Sequence, residues 1–167
     1  MQTSVPKGTG GMVAVLGVEI DEINNLLKSN QENYKCYIAN DNSNGQLVLS
    51  GLNSDIDKFI DTLKTKKIKN IKLPVSAPFH CKLMDKATLI MKDKINNTTF
   101  EKPKNVIISN VTASETQEID KIKDLLIKQI ESPVRWRESV IYMIKKGVTN
   151  FVEIGPGKVL SGLVKRI

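Results

Sequence analysis

The amino-acid sequence predicts a mixed α/β protein built in two parts, residues 1–75 and residues 76–167. Short apolar runs of strand length alternate with amphipathic runs of helical spacing along the chain. The pattern also changes near residue 75, where a β-rich arrangement gives way to helices that alternate with single strands. A length of 167 residues fits one domain, or one domain with a smaller subdomain.

The first part, residues 1–75, has the element order β-α-β-β-α-β. The predicted strands cover residues 12–17, 34–40, 45–51 and 68–75, and the predicted helices cover residues 19–30 and 54–66. The string DNSNG at 41–45 predicts a turn, so the two middle strands should form a hairpin. This order is typical of a ferredoxin-like subdomain.

The second part, residues 76–167, is richer in helices. Helices are predicted over 84–97, 118–131 and 136–147, with buried strands over 104–111 and 149–154. The string GPGKVLSGLVKRI at 155–167 starts with a glycine turn that leads into a further helix. Strands that alternate with helices favour a parallel sheet. Two strands alone leave sheet edges uncovered, so we expect this part to belong to a larger α/β core.

The composition is that of a globular protein, with 40% hydrophobic and 26% charged residues. No run approaches the roughly 18 apolar residues of a membrane span. The first residues show no targeting pattern, so an intracellular protein is expected. Cys36 and Cys81 lie far apart and the chain has one histidine, which argues against a disulfide framework and against a structural zinc site.

The formal net charge of +7 favours acidic partners such as nucleic acid, anionic lipid, phosphorylated cofactors or an acidic protein. The densest cluster of lysines lies within residues 64–72. We interpret it as a solvated helix end followed by an edge strand, where lysines discourage aggregation between sheets, in preference to a binding patch. Nucleic-acid binding rests on charge alone, because the chain has few aromatic residues for base stacking.

His80, the only histidine, lies in the string PVSAPFHCKLM between a predicted strand and a predicted helix. A lone histidine is more often structural than catalytic, but loops at such junctions commonly carry functional groups. A search for the nucleophile of a serine enzyme fails, since no G-x-S-x-G string is present and DNSNG reads as a hairpin turn. Cys81 is adjacent to His80, so the two side chains point apart, and a packed cysteine is the better interpretation.

Six strings in this order resemble one enzyme family. They are MQTSVPKGTGGMVAVLG, ANDNSNGQLVLSG, LPVSAPFHCKLM, ISNVTA, KQIESPVRWRESV and VEIGPGKVLSGLVKR. Together they resemble the second half of the malonyl-CoA:acyl carrier protein transacylases, the acyltransferases that load malonyl units in fatty-acid biosynthesis. The resemblance implies a ferredoxin-like subdomain followed by the C-terminal part of an α/β-hydrolase-like acyltransferase core.

The resemblance also implies roles for particular residues. His80 matches the catalytic histidine, and Gln129 matches the glutamine that helps to hold its ring. The positions implied in substrate binding are Phe79, Asn40, Asn42 and Val159, and those implied in docking the carrier protein are Lys165 and Arg166. For Asn40 and Asn42, formation of the hairpin turn remains an equal alternative, and the two terminal basic residues could simply be solvated.

The resemblance further implies malonyl-CoA as substrate, acyl carrier protein as partner, no cofactor, and neither nucleic acid nor a membrane as a binding surface. A monomer is expected, in the cytoplasm, a mitochondrion or a plastid. The family's serine motif G-H-S-x-G-E, its carboxylate-binding arginine and its N-terminal glutamine motif are absent from the sequence. We therefore expect a fragment in which Met1 matches an internal methionine, and we expect these residues alone to be inactive.

Two other functions remain open from the residues. The chain could be a non-catalytic module that binds an acidic carrier protein through its basic surface, in which case binding would be sensitive to salt. It could also be a basic, nucleic-acid-binding ferredoxin-like domain, with affinity that falls steeply as salt rises.

Overall fold

The computed structural model describes residues 5, 6, 8–75 and 77–167. The start of the N-terminal string, MQTS with Lys7, and Ser76 of PVSAPFH lie outside the described residues. The described chain is a mixed α/β structure with a five-stranded sheet in the order β4-β1-β3-β2-β7 and a two-stranded sheet of β5 and β6. The strands are β1 (Gly10–Leu16), β2 (Cys36–Ser43), β3 (Gln46–Leu52), β4 (Lys69–Lys72), β5 (Ile107–Ser109), β6 (Ser114–Thr116) and β7 (Val134–Arg135).

In the described residues, six α-helices accompany the strands. They are α1 (Ile20–Ser29), α2 (Asn53–Thr65), α3 (Asp85–Asn96), α4 (Ile119–Gln129), α5 (Trp136–Lys145) and α6 (Val159–Val164), and a 3-10 turn (Lys82–Met84) precedes α3. Each of these helices lies within or close to a predicted helical segment. None of the helices in the described parts of the chain has the length and apolar character needed to cross a membrane.

Helices α1 and α2 cover one face of the large sheet. Ile56, Phe59 and Leu63 of α2 are spaced three and four residues apart, so they share one side of the helix and are fully buried. They pack with valines and leucines of β1 and β3 in the largest core cluster of the described residues. The apolar stripe of α2 thus packs against the apolar face formed by alternate residues of β1 and β3.

The opposite face of the sheet packs against the loop that carries His80. Met12, Ala39 and Val48 are buried there, and Phe79 packs against them. Phe79 also contacts a second cluster, in which Val5, Met84, Ala87 and Ile130 are buried. The segment before His80 is therefore anchored between the sheet and the helical part.

Strand β4 is an edge strand, paired with β1 on one side. Lys69 and Lys72 lie on it and are exposed, while Lys64, Lys66 and Lys67 surround the end of α2. The predicted arrangement of the lysine cluster, a solvated helix end followed by an edge strand, is confirmed.

Several predictions about strands are wrong. Residues 149–154 form no strand in the described part of the chain. The predicted buried strand over 104–111 shortens to the three residues of β5, and Val106 and Ile107 are exposed. The turn predicted over 41–45 is narrower, because β2 continues to Ser43 and only Asn44 and Gly45 form the turn.

Candidate functional site

The backbone at His80 adopts a left-handed conformation, with φ of 59°. Residues other than glycine rarely take up this conformation because the Cβ atom crowds the backbone. Such conformations persist where surrounding structure fixes them, and they are concentrated at functional sites. Here the buried Pro78 and the packed Phe79 fix the two preceding residues.

The imidazole of His80 is half-buried and is hydrogen-bonded to the end of α4. Its Nδ1 lies 3.0 Å from the main-chain carbonyl oxygen of Gln129. A carbonyl oxygen can only accept, so Nδ1 must carry the proton and donate it. In the neutral ring the lone pair then lies on Nε2, which is the nitrogen available as a base.

Gln129 is the last residue of α4, so its carbonyl belongs to the helix end. Carbonyls in the last turn have no partner within the helix and carry the partial negative charge of the helix dipole. The ring of His80 thus donates its hydrogen bond to a negatively polarised acceptor at a helix end. The side-chain amide of Gln129 donates to the carbonyls of Ser132 (3.0 Å) and Pro133 (3.4 Å) and holds the loop after α4.

Asn40 and Asn42 lie within β2, so the alternative that they form the hairpin turn is wrong. The pairing of β2 with β3 has irregular steps between Ile38 and Asn40 and between Asp41 and Ser43. Asn40 pairs in parallel register with Val134, a few residues after Gln129. The strand irregularities therefore lie beside the loop that Gln129 holds.

Asp41, between the two asparagines, is a site residue that the sequence analysis missed. It is 2% exposed, and its carboxylate accepts hydrogen bonds from Arg137 at the start of α5. The two residues are 96 positions apart, so no local pattern could reveal the pair. Asp41 and His80 line the same cavity of about 530 Å³, which lies between α1, β2 and the loop before β7.

Cys81 is a packed residue, as predicted. Its side chain is buried, and Sγ lies 3.2 Å from the carbonyl oxygen of Pro78, to which it donates. Burial raises the pKa of the Cys81 thiol. The thiolate, which is the reactive form, is therefore disfavoured, and the ring of His80 is directed to Gln129 instead.

The C-terminal candidates lie around α6. Val159 begins this helix and is 71% exposed. Arg166 donates from Nη1 to Oε1 of Gln46 (2.9 Å), and its carbonyl accepts from Asn44 (3.4 Å), which ties the chain's last residues to the β2–β3 hairpin. Among the described residues, no hydrogen bond joins Val159, Lys165 or Arg166 to His80.

Glu153 is a second residue that the sequence analysis missed. Its carboxylate accepts hydrogen bonds from the main-chain N–H groups of Leu160 (3.1 Å) and Ser161 (2.8 Å) and from the Ser161 hydroxyl (2.7 Å). The bonds from Ser161, followed by the one from Leu160, lower the pKa of Glu153. Glu153 thus caps α6 and connects the segment before the glycine turn to that helix.

Comparison with known proteins gives a consistent result. No family model matches the chain. Over 100% of the chain, it is 40% identical to the malonyl CoA-acyl carrier protein transacylase of Bacillus subtilis (strain 168) and 37% identical to that of Escherichia coli (strain K12), covering 53% and 54% of these relatives. The crystal structure of malonyl CoA-acyl carrier protein transacylase from Clostridium perfringens superposes with a TM-score of 0.95 at 39% identity, covering 100% of this chain and 53% of that one.

This chain is homologous to the malonyl CoA-acyl carrier protein transacylases over its whole length. It spans about half the length of the curated relatives it matches. A structure of a type II PKS acyl-carrier protein in complex with its malonyl-transacylase is also similar, with a TM-score of 0.93 at 34% identity over 99% of this chain and 54% of that one.

Within this half of the transacylase fold, the structure brings together His80, Gln129 and Phe79. Asn40 is joined to the same region through β7. Among residues 5, 6, 8–75 and 77–167, no three histidine, cysteine, aspartate or glutamate side chains are grouped as a metal site requires. The imidazole of His80, oriented by its bond to Gln129, is a group in this region that can accept and donate a proton.

Proposed function

We propose that this chain supplies the histidine base of a malonyl-CoA:acyl carrier protein S-malonyltransferase of fatty-acid biosynthesis. The observation that carries the proposal is the bond from Nδ1 of His80 to the carbonyl oxygen of Gln129, in a chain that matches transacylases along its entire length. This bond leaves Nε2 free to accept a proton, which is the role required of the base in acyl transfer.

The reaction would proceed in two balanced steps. In the first, His80 Nε2 takes the proton of a serine hydroxyl as its oxygen attacks the malonyl thioester, and returns it to the departing CoA sulfur. In the second, the phosphopantetheine thiol of the carrier protein gives its proton to Nε2 and attacks the serine ester, and the serine oxygen regains a proton. The serine would belong to the half of the transacylase fold that has no counterpart among these 167 residues.

For the fold, we propose a ferredoxin-like subdomain over residues 1–75 and part of an α/β-hydrolase-like acyltransferase core over residues 76–167. The element order β-α-β-β-α-β and the strand order β4-β1-β3-β2 support the first assignment. His80 follows this subdomain immediately and is hydrogen-bonded to the helical part, which supports a position of the base at the junction of the two.

For substrate binding, we propose that Phe79 limits the size of the acyl group and that Asn40, Asn42 and Val159 line the route to the base. The packing of Phe79 against both core clusters supports its part, because a fixed ring can restrict the adjacent space. No cofactor is needed, since malonyl-CoA is itself the activated substrate.

For the partner, we propose acyl carrier protein, docked in part by Lys165 and Arg166. The net charge of +7 and the complex of a related malonyl-transacylase with an acyl-carrier protein support this proposal. We propose that the working unit is a monomer, with neither nucleic acid nor a membrane as a partner.

A chimera tests the catalytic proposal. This chain would replace the matched segment of the B. subtilis relative in one polypeptide, and transfer from malonyl-CoA to holo carrier protein would be measured. We expect transfer with the chimera and at least a hundredfold loss in His80→Ala, because general-base catalysis typically contributes 10²–10⁴-fold. Gln129→Ala should lose far less, since the bond to His80 uses the main-chain carbonyl.

The same assay separates catalysis from simple binding. The 167 residues alone should show no transfer and no malonyl adduct by intact-mass spectrometry. A malonyl adduct on the isolated chain would overturn the proposal. So would a chimera whose rate of malonyl transfer is unchanged by His80→Ala.

The basic charge also favours a second function, a non-catalytic module that binds acyl carrier protein. In that case the isolated chain should bind holo carrier protein with an affinity that falls as salt rises, and the chimera should not transfer malonyl. Replacing Lys165 and Arg166 by Gln should weaken this binding, whereas replacing the exposed Lys92 and Lys94 of α3 by Gln provides a control of equal charge change.

A further inference from the structure

The outer face of α3 carries two large apolar side chains that are exposed. Leu89 is 70% exposed and Ile90 is 60% exposed, whereas Ala87 and Ile95 of the same helix are buried. Neither Leu89 nor Ile90 belongs to a core cluster of the described residues. Adjacent exposed side chains of this size indicate an interaction surface more strongly than scattered single ones do.

A charged residue lies one helical turn from this apolar pair on each side. Lys86 precedes Leu89 by three residues, Asp93 follows Ile90 by three residues, and both charged side chains are exposed. The spacing i, i+3, i+4 and i+7 places these four residues on one stripe of the helix, which we call the α3 stripe. Asp93 accepts a hydrogen bond from Asn97 (3.0 Å). Among the described residues, neither Lys86 nor Asp93 takes part in an ion pair.

The α3 stripe is complementary to a second copy of itself that runs in the opposite direction. Its midpoint lies between Leu89 and Ile90, and a two-fold axis through this point brings these two side chains of both copies together. The same axis places Lys86 of each copy opposite Asp93 of the other, since both residues are equally far from the midpoint. In a parallel pair in the same register, each charge would face a like charge, which is unfavourable.

We propose that α3 is a homodimer contact, in which the α3 stripes of two copies of this chain pack antiparallel. Burial of Leu89 and Ile90 provides the attraction, and the pairs of Lys86 with Asp93 select direction and register. Because two 12-residue helices bury a small interface, we expect a weak dimer whose population depends on concentration.

The contact is independent of the proposed malonyl transfer. His80 precedes α3, and its ring is hydrogen-bonded to the end of α4. Association through the α3 stripe therefore does not use the base, and each copy can act as the monomeric working unit.

Charge reversal tests the arrangement. Sedimentation equilibrium of the 167-residue chain over a series of concentrations gives the dissociation constant of the dimer. Lys86→Glu and Asp93→Lys should each raise this constant by about tenfold or more, because both symmetric contacts then join like charges. Both variants should fold, because the helix dipole favours a negative charge in the first turn of α3 and a positive charge in its last turn.

A mixture of the two variants distinguishes the antiparallel contact from other modes of association. When the Lys86→Glu chain is mixed with the Asp93→Lys chain, both contacts of the heterodimer again join opposite charges. The mixture should therefore associate nearly as tightly as the unmodified chain, although each variant alone does not. The chain that carries both reversals should also regain association, because its symmetric contacts are again of opposite charge.

Controls separate the stripe from general charge and general apolar character. Lys92 is exposed on α3 but lies outside the stripe, so Lys92→Glu gives the same charge change as Lys86→Glu and should leave the dissociation constant nearly unchanged. Leu89→Ser should raise the constant by about tenfold or more, because it removes the apolar centre. Ile71→Ser, at a 52% exposed position on β4, should not.

Three results would overturn the contact. They are a monomer at every concentration, a dimer that neither charge reversal weakens, and a mixture of the two variants that does not regain association. A chimera with the B. subtilis relative that transfers malonyl but does not dimerise would also overturn it, because the rest of the transacylase fold would then cover the α3 stripe. A dimer with the expected charge dependence, together with a chimera that fails to transfer malonyl, would support the contact and overturn the proposed function.

Discussion

Arg137 holds the buried carboxylate of Asp41 from the start of α5. Its Nε lies 3.0 Å from both carboxylate oxygens, and its Nη2 lies 2.9 Å from Oδ2. The side chain of Asp41 is 3% exposed and that of Arg137 is 21% exposed, so the pair is largely shielded from water. Because Asp41 belongs to β2 and Arg137 to α5, this ion pair joins the sheet to the helical part beside the cavity that His80 lines.

Removing one partner of this pair should destabilise the protein strongly. Arg137→Ala leaves the Asp41 carboxylate buried without a counter-charge, for which we expect a loss of about 3 kcal/mol in the free energy of unfolding. Urea unfolding followed by circular dichroism measures this loss. The double variant Asp41→Asn/Arg137→Gln should be less destabilised than Arg137→Ala, because no charge remains buried.

The matched control is the exposed pair of Lys128 and Asp124 on α4, 2.7 Å apart with side chains 58% and 54% exposed. Lys128→Ala should change the free energy of unfolding by less than about 1 kcal/mol. If Arg137→Ala lowers the free energy of unfolding by no more than Lys128→Ala does, the Asp41–Arg137 pair does not hold the sheet and the helical part together.

A close approach between Gly10 and Pro78 should make the His80 loop sensitive to a single methyl group. A Cβ at Gly10 would overlap with Cδ of the buried Pro78, two residues before His80. Gly10→Ala should cost about 1–3 kcal/mol through overpacking and should displace the loop. The readout is the pair of ring ¹⁵N chemical shifts of the only histidine, which report the tautomer held by Gln129.

Gly162 provides the comparison for this variant. It lies in α6, and a Cβ there would have no neighbour within 4 Å. Gly162→Ala should leave the ring shifts unchanged and keep or slightly raise stability, because alanine favours helix. Unchanged shifts in Gly10→Ala would show that Pro78 does not position His80.

The sequence predicts well those parts of the fold that local patterns determine. Helix α2 shows its buried stripe of Ile56, Phe59 and Leu63 directly in its spacing, and the lysines of β4 mark it as an edge strand. Residues 149–154 illustrate the limit of such patterns. An apolar run indicates that burial of its side chains is favourable, but it does not identify the strand that would pair with it. No strand among the described residues pairs with this segment.

The site is predictable to a similar extent. The string PFH marks His80 as a candidate, and the resemblance implies Gln129. His80 contacts the main-chain carbonyl of Gln129 because α4 ends at this residue. The identity of residue 129 does not predict that its carbonyl is the acceptor. The pairing of Asp41 with Arg137 depends on two elements 96 residues apart meeting in space, and a single sequence carries no local signal of it.

Both cysteines should be unreactive in the folded protein. Burial, followed by the nearby carboxylate of Asp55, raises the pKa of the Cys36 thiol to about 12, and burial raises the pKa of Cys81. Burial thus disfavours the reactive thiolate of both residues, so we expect slow reaction with a disulfide reagent under native conditions and rapid reaction of both in urea. Rapid labelling of Cys81 in the folded protein would contradict its interpretation as a packed residue and would favour a nucleophilic role.

Glu138 should make the stability of the protein depend on acid pH. The hydrogen bond from Arg135, whose Nε lies 2.8 Å from Oε1, is the main cause that lowers the pKa of Glu138 in the folded state. The folded pKa is below the unfolded value, so this carboxylate adds stability above the unfolded pKa. That contribution is lost as the pH falls through the folded pKa.

The two side chains are each 38% exposed, so the contribution is at most about 1 kcal/mol. Glu138→Gln should therefore lower the urea midpoint at pH 7, and the difference from the unmodified protein should shrink steadily below about pH 4. Glu32→Gln, at an exposed position after α1, is the control and should show no such convergence. A difference between Glu138→Gln and the unmodified protein that stays constant from pH 7 to the acid limit would mean that the carboxylate acts through packing and not through its charge.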